Sequence, residues 1–242
     1  MLMILRNLYN ESKRHENRLI ITNFKFVAEF KSGVLKEDEY GSKKHTEMFL
    51  QVNENLGKKA VVSRYNLLYL TTKENIDKIL ADEAAHKDDD TVEIAKIFST
   101  RMSVSSKDQS SNICFMDMRG EKELAPEDSQ RFEFLIFGGI LGDHPPQDRG
   151  KELRENFANV RQLGTVQMTT DTALLVSREI LEEGKPINTM SFTTDPQIPC
   201  DDSVRRYLDM ALPLTTLTDS KFKGVSVASF RGPEATEDIQ AF

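Results

Sequence analysis

The chain has 242 residues, 38% hydrophobic and 29% charged, with a formal net charge of −7. That length can bury a sizeable core in one domain, or in one domain with a large addition, and the acidic balance argues against a broadly basic surface tracking phosphates. No apolar run approaches the roughly 18 residues of a membrane span, and the start, MLMILRNLYNESKRHENR, lacks the basic region and small-residue cleavage site of a signal peptide.

In chain order, RLIITNF (18–24) reads as a strand from its branched apolar residues. TEMFLQVNENLG (46–57) reads as a short helix, with Phe49, Val52 and Leu56 at helical spacing, Thr46 as cap and Gly57 as terminator. AVVSRYNLLYL (60–70) is rich in branched and aromatic residues and reads as strand. TKENIDKILADEAA reads as helix, with Thr72 at the N-cap and Ile76, Ile79 and Leu80 on one face. HKDDD (86–90) is a charge run expected at a solvated turn, and the serine-rich STRMSVSSKDQSSN (99–112) reads as loop or linker.

The character then changes. NICFMDM (112–118) is a compact apolar strand, LAPEDSQ starts a short helix, and RFEFLIFGG (131–139) has the two-sided apolar end of an inner strand in a covered parallel sheet. In KELRENFANVRQ (151–162), Leu153, Phe157 and Val160 form one helical face, and LGTVQM (163–168) is strand-like. TTDTALLVSREILEEGKP (169–186) is the clearest helix, capped by Thr169 or Thr170, favoured by Asp171 at its N-terminus and ended by Gly184 and Pro186. NTMSFTT (188–194) reads as another strand. This alternation implies an α/β fold with a mostly parallel sheet. Cys114 and Cys200 form no CxxC and no ligand spacing with the four histidines, so they read as free buried thiols and no metal site is expected.

Two loops stand out. In an open parallel sheet, ligands bind at the carboxyl ends of the strands. Gly138, Gly139 and Gly142 follow the strand ending at Phe137, and Gly164 falls ahead of the helix at 169–171. Glycine lets backbone pass close to a ligand or adopt positive φ; a tight turn without a ligand is the plainer alternative. G-G-x-x-G is not the dinucleotide fingerprint, and no GK[ST] phosphate loop exists. Asp143 is a turn former if taken alone, and Asp171 a helix-terminus acid. Both fall at the same expected sheet edge. His144, before Pro145 and Pro146, reads as a turn residue or hydrogen-bond partner rather than a base.

FGGILGDHPPQDRGKELR (137–154), LGTVQMTTDTA (163–173) and MDMRGEKELAPEDSQRFEFLIFGG (116–139) together resemble the SPOUT-class protein arginine methyltransferase family. Its characterised fungal member methylates an arginine of a small-subunit ribosomal protein. The resemblance covers roughly residues 112–195. It implies a SPOUT-like α/β fold with a trefoil knot and S-adenosyl-L-methionine as cofactor. It also implies cofactor contacts from Phe137, Gly138, Gly139, Gly142, Leu163, Gly164, Met168, Thr169 and Thr170. A guanidinium is protonated and a poor nucleophile, so transfer needs a carboxylate to orient it and take a proton. Asp143 and Asp171 are the catalytic candidates, with His144 toward the substrate; Asp148 and Arg149, matching the family's D-R after the prolines, either position substrate or lock the loop. The chain departs from the family pattern at Gln147, Gly150 and Gln197.

On this reading, residues 1–111 are a divergent N-terminal part of the α/β domain with an insertion over 25–111. Residues 112–200 form the knotted cofactor-binding region, and 201–242 a C-terminal extension. The expected partner is a protein substrate, a small-subunit ribosomal protein, acted on in the cytoplasm by a monomeric enzyme rather than a homodimer. An RNA methyltransferase is the alternative within the enzyme class. A non-catalytic protein that binds the cofactor is the alternative outside it.

Overall fold

A computed structural model of the chain describes residues 18–23, 60–87, 90–138, 148, 150–165, 168, 170–194 and 215–217. The chain forms two compact units, residues 1–112 and 113–242.

In the first unit, β1 (Leu19–Ile21) pairs in parallel with β2 (Ala60–Val62), Ile20 opposite Val61. The stretch 60–70 is not one strand: after Val62 the chain turns, and α1 (Leu67–Leu70) follows. Asn66 caps it, its side chain accepting from the Leu68 N–H at 2.9 Å, which favours helix over continued extension. In α2 (Lys73–Ala81), Ile76 and Ile79 are buried as their spacing requires, and Leu80 is half-buried. Thr72 occupies the cap position without capping; its hydroxyl donates instead to the Leu68 carbonyl at 3.3 Å. Within HKDDD, Asp90 precedes α3 (Thr91–Arg101), and its carboxylate accepts from the Val62 N–H at 3.2 Å. That helix, burying Ile94, Ala95 and Phe98, overruns the start of the expected loop at 99. The helix expected over 46–57 lies outside the described residues.

The second unit is built on a parallel four-stranded sheet ordered β4-β6-β3-β5. Its strands are β3 (Ile113–Met116), β4 (Lys122–Glu123), β5 (Phe134–Phe137) and β6 (Val160–Gln162). β3 lies inside the sheet and is buried along its whole length. β5 is an edge strand of the described sheet and half-buried, where the sequence suggests an inner one. The helical face expected over 151–162 is replaced by α4 (Lys151–Arg154), a turn and β6. Phe157 is buried, but by stacking on Phe115 at 5.3 Å between ring centroids; Val160 sits in the sheet opposite Phe115. The strand therefore precedes the LGTVQM segment.

α5 (Thr170–Leu181) covers one face of this sheet, with Leu175, Val176 and Ile180 packed among Cys114, Met116, Leu124, Phe132 and Leu163. Burial pushes the Cys114 thiol up to about 12, and this thiol is free, as expected. The chain leaves the helix through Gly184 at φ +67°, a left-handed conformation that glycine adopts without strain. From the inner strand β6, Arg161 makes a two-pronged pair with Asp128, at 2.9 and 3.1 Å, and both groups are nearly buried. β7 (Phe192–Thr194) does not join the parallel sheet; it pairs antiparallel with β8 (Thr215–Leu217).

Candidate functional site

Because β3, β5 and β6 run parallel, their carboxyl ends lie at one edge of the sheet. There a cleft is lined by Met116, Asp117 and Met118 after β3, Phe137 and Gly138 after β5, Leu163 and Gly164 after β6, and Met168, Thr170 and Ala173 leading into α5. The walls enclose about 150 Å³. The sheet register thus brings together chain segments distant in sequence. Thr170 ties two of them together: its hydroxyl donates to the Gly138 carbonyl at 3.0 Å.

The lining mixes apolar side chains with bare backbone. Gly164 has φ +75°, where a side chain would be strained. A Cβ placed on Gly138 would meet no atom within 4 Å among the described residues.

One acidic residue belongs to the described wall. Asp117 follows β3, and its backbone N–H continues the sheet by donating to the Arg161 carbonyl at 2.9 Å. One carboxylate oxygen accepts from the Arg119 N–H at 2.8 Å, and the other from Arg154 at 3.0 Å. Arg154 also holds Asp148, through two hydrogen bonds of 3.1 and 2.7 Å, and Arg119 reaches Asp148 at 2.5 Å. The result is an alternating chain of two acids and two guanidiniums beside the cleft. The hydrogen bond from Arg154 is the main reason the Asp148 carboxyl is held down at about 2. Gly150 is part of the arrangement: a Cβ on it would lie 2.7 Å from the Asp117 carboxylate.

The sequence-derived candidates separate clearly. Phe137, Gly138, Leu163, Gly164, Met168 and Thr170 come together in this cleft. Gly139, Gly142, Asp143, His144, Arg149 and Thr169 lie outside the described residues. Asp171 is in the first turn of α5, and its side chain lies outside them too. Asp148 is engaged by two arginines of its own chain. Sequence reasoning missed Met116, Asp117, Met118 and Ala173 in the lining, and Arg154 beside it. The signal for Asp117 was present: an acid in M-D-M-R immediately after an apolar strand of an expected parallel sheet. Among the described residues, no three His, Cys, Asp or Glu side chains gather as a metal site, and no helix is long and apolar enough to cross a membrane.

Comparison with known proteins agrees with this architecture. A solved structure described as a novel protein arginine methyltransferase superposes with a TM-score of 0.52, covering 91% of this chain and 84% of its own at 23% identity, a similarity of fold. Another, described as yeast arginine methyltransferase SFM1 complexed with SAM, aligns with a TM-score of 0.48 and 22% identity, over 86% of this chain and 85% of that one. Protein arginine N-methyltransferase SFM1 of Saccharomyces cerevisiae is 42% identical over 88 residues. That stretch covers 35% of this chain and 41% of the yeast protein, so the match spans less than half of that relative's length. The family model described as protein arginine N-methyltransferase SFM1-like matches residues 45–222. Its match begins well inside the 25–111 segment that the sequence reading sets apart as an insertion, and it runs through the whole cleft. The chain belongs to the SFM1-like family of protein arginine N-methyltransferases.

Proposed function

We propose that the protein is an S-adenosyl-L-methionine-dependent methyltransferase acting on a protein arginine. The observation that carries this reading is the cleft at the carboxyl ends of β3, β5 and β6, in a chain of the SFM1-like family. The lining suits the cofactor. Met116, Phe137, Leu163 and Met168 offer apolar contact, and the bare backbone at Gly138 and Gly164 permits close approach. The same reading includes a SPOUT trefoil knot, a cytoplasmic monomer and a small-subunit ribosomal protein as substrate.

When bound, the cofactor supplies an electrophilic methyl group. What the chain must supply is orientation and a proton acceptor, because the acceptor guanidinium has to present a lone pair and lose a proton as its N–CH₃ bond forms. Asp143 is assigned to orient the guanidinium, with Asp171 as the second acid. His144, Asp148 and Arg149 are assigned to the substrate side. The contacts of Asp148 with Arg119 and Arg154 support a role in fixing the chain there rather than in touching substrate.

The test is transfer of labelled methyl from S-adenosyl-L-methionine into a ribosome-containing extract, divided afterwards between protease and ribonuclease. Protease-sensitive label that maps to an arginine is the expected result. Ribonuclease-sensitive label would replace it with an RNA methyltransferase. Cofactor binding without any transfer would replace it with a non-catalytic binding protein.

A further inference from the structure

The acid, the glycine and the arginine beside the cleft form one device. Asp117 lines the cleft, and its side chain is only 14% exposed. An ionised carboxylate has about four acceptor positions; Arg119 N–H and Arg154 fill one on each oxygen. Acceptor capacity remains on a group already fixed in place. What fixes it is specific. Arg154, 19% exposed, spends one guanidinium nitrogen on Asp117 and clamps Asp148 with both. Gly150 leaves the space the carboxylate occupies: a Cβ there would stand 2.7 Å from Asp117 Oδ2.

We propose that Asp117 contacts the cofactor in the cleft, accepting a hydrogen bond from an N–H or O–H group, and that Arg154 and Gly150 are positioning residues that hold its carboxylate in the wall. The proposal rests on the methyltransferase reading. It concerns the cofactor rather than the acceptor because Asp117 shares the cleft with Phe137, Gly138, Leu163, Gly164, Met168 and Thr170. Three groups of the cofactor have the required chemistry: the ammonium of its amino-acid part, the ribose hydroxyls and the amino group of its adenine.

The test is calorimetric binding of S-adenosylhomocysteine to the full chain and to Asp117→Ala, Asp117→Asn, Arg154→Lys and Gly150→Ala, each with its thermal midpoint. Asp117→Ala is expected to weaken binding roughly ten- to a hundredfold, the usual effect of losing a hydrogen bond to a charged acceptor. Asp117→Asn keeps the shape and covers the case in which the alanine variant does not fold. Arg154→Lys retains the charge but not the two-pronged grip; it and Gly150→Ala should each weaken binding several-fold with little change in the midpoint of the ligand-free protein. In an Asp117→Ala background neither should weaken it further, because both act through Asp117. Methylthioadenosine, which lacks the amino-acid part, separates the ammonium from the nucleoside donors. Its binding falls in parallel if a ribose hydroxyl or the adenine amino group is the donor, and is unaffected if the ammonium is.

Wild-type affinity in both Asp117 variants would overturn the contact. Full additivity of Arg154→Lys and Gly150→Ala with Asp117→Ala would overturn the positioning. Absence of binding by the unaltered chain would overturn the methyltransferase reading, and this inference with it.

Discussion

Asp148 stands between two guanidiniums, and its titration is the most direct report on the ion-pair chain beside the cleft. The hydrogen bond from Arg154 lowers its pKa, desolvation opposes this, and Arg119 adds to the lowering, leaving it at about 2. A folded-state value below the ordinary ~3.9 of an aspartate means that the pair's contribution to stability is fully present above about pH 4 and is lost as the pH falls toward 2. The clamp is therefore intact throughout the neutral range. Carboxyl-carbon NMR should find Asp148 titrating near 2 in the wild type and higher in Arg154→Ala, still below the ordinary value because Arg119 remains. An unchanged midpoint would mean that the pair does not form in solution. At this scale the sequence was partly legible. It singled out Asp148 from its D-R motif, but not Arg154, whose role depends on the fold bringing residue 117 next to 154.

At the scale of elements, the turn from β3 into β4 is held tightly against β6. Its residue Gly120 faces the backbone of β6: a Cβ would lie 2.8 Å from the Arg161 carbonyl carbon and 3.0 Å from the Gln162 nitrogen. Backbone atoms cannot rotate away, so Gly120→Ala must push β4 off β6 and strain the Leu124 N–H to Gln162 carbonyl bond of 2.9 Å. A loss of about 1–3 kcal/mol is expected by chemical denaturation, in the range for overpacking a filled site. The nearly buried Asp128–Arg161 pair lies along the same strand, so the distortion will reach it. Elements were legible where one signal dominated. α5 has a long amphipathic pattern and a glycine–proline stop, and β3 an unbroken apolar run. The segment 151–162 misled because Leu153, Phe157 and Val160 mimic a helical face. Asn156 and Asn159 compete with helical hydrogen bonding, and the ring of Phe115, some forty residues before them, offers Phe157 a better partner. Only the tertiary contact decides such a case.

Across the whole molecule, every residue of the cleft belongs to the unit 113–242. Saturation with S-adenosylhomocysteine should therefore slow amide hydrogen exchange around 116–118, 163–165 and the start of α5, and leave α2 and α3 unchanged. Protection centred on residues 73–101 would place the ligand elsewhere. The α/β class and the edge of the sheet that carries the cleft were readable from alternating patterns, since parallel strands put their carboxyl ends together. The strand order was not, because β3 acquires neighbours from both β5 and the later β6. That order has a consequence for biogenesis. The strand at the heart of the second unit is the first of its strands to be translated, yet its partner on one side is not complete until Gln162 has been added. At ordinary elongation rates a nascent chain spends on the order of seconds in that condition, with the apolar run Ile113–Met116 covered on one flank at most. Such a chain is a natural client for a holding chaperone, and slow codons placed between 137 and 160 would lengthen its exposure.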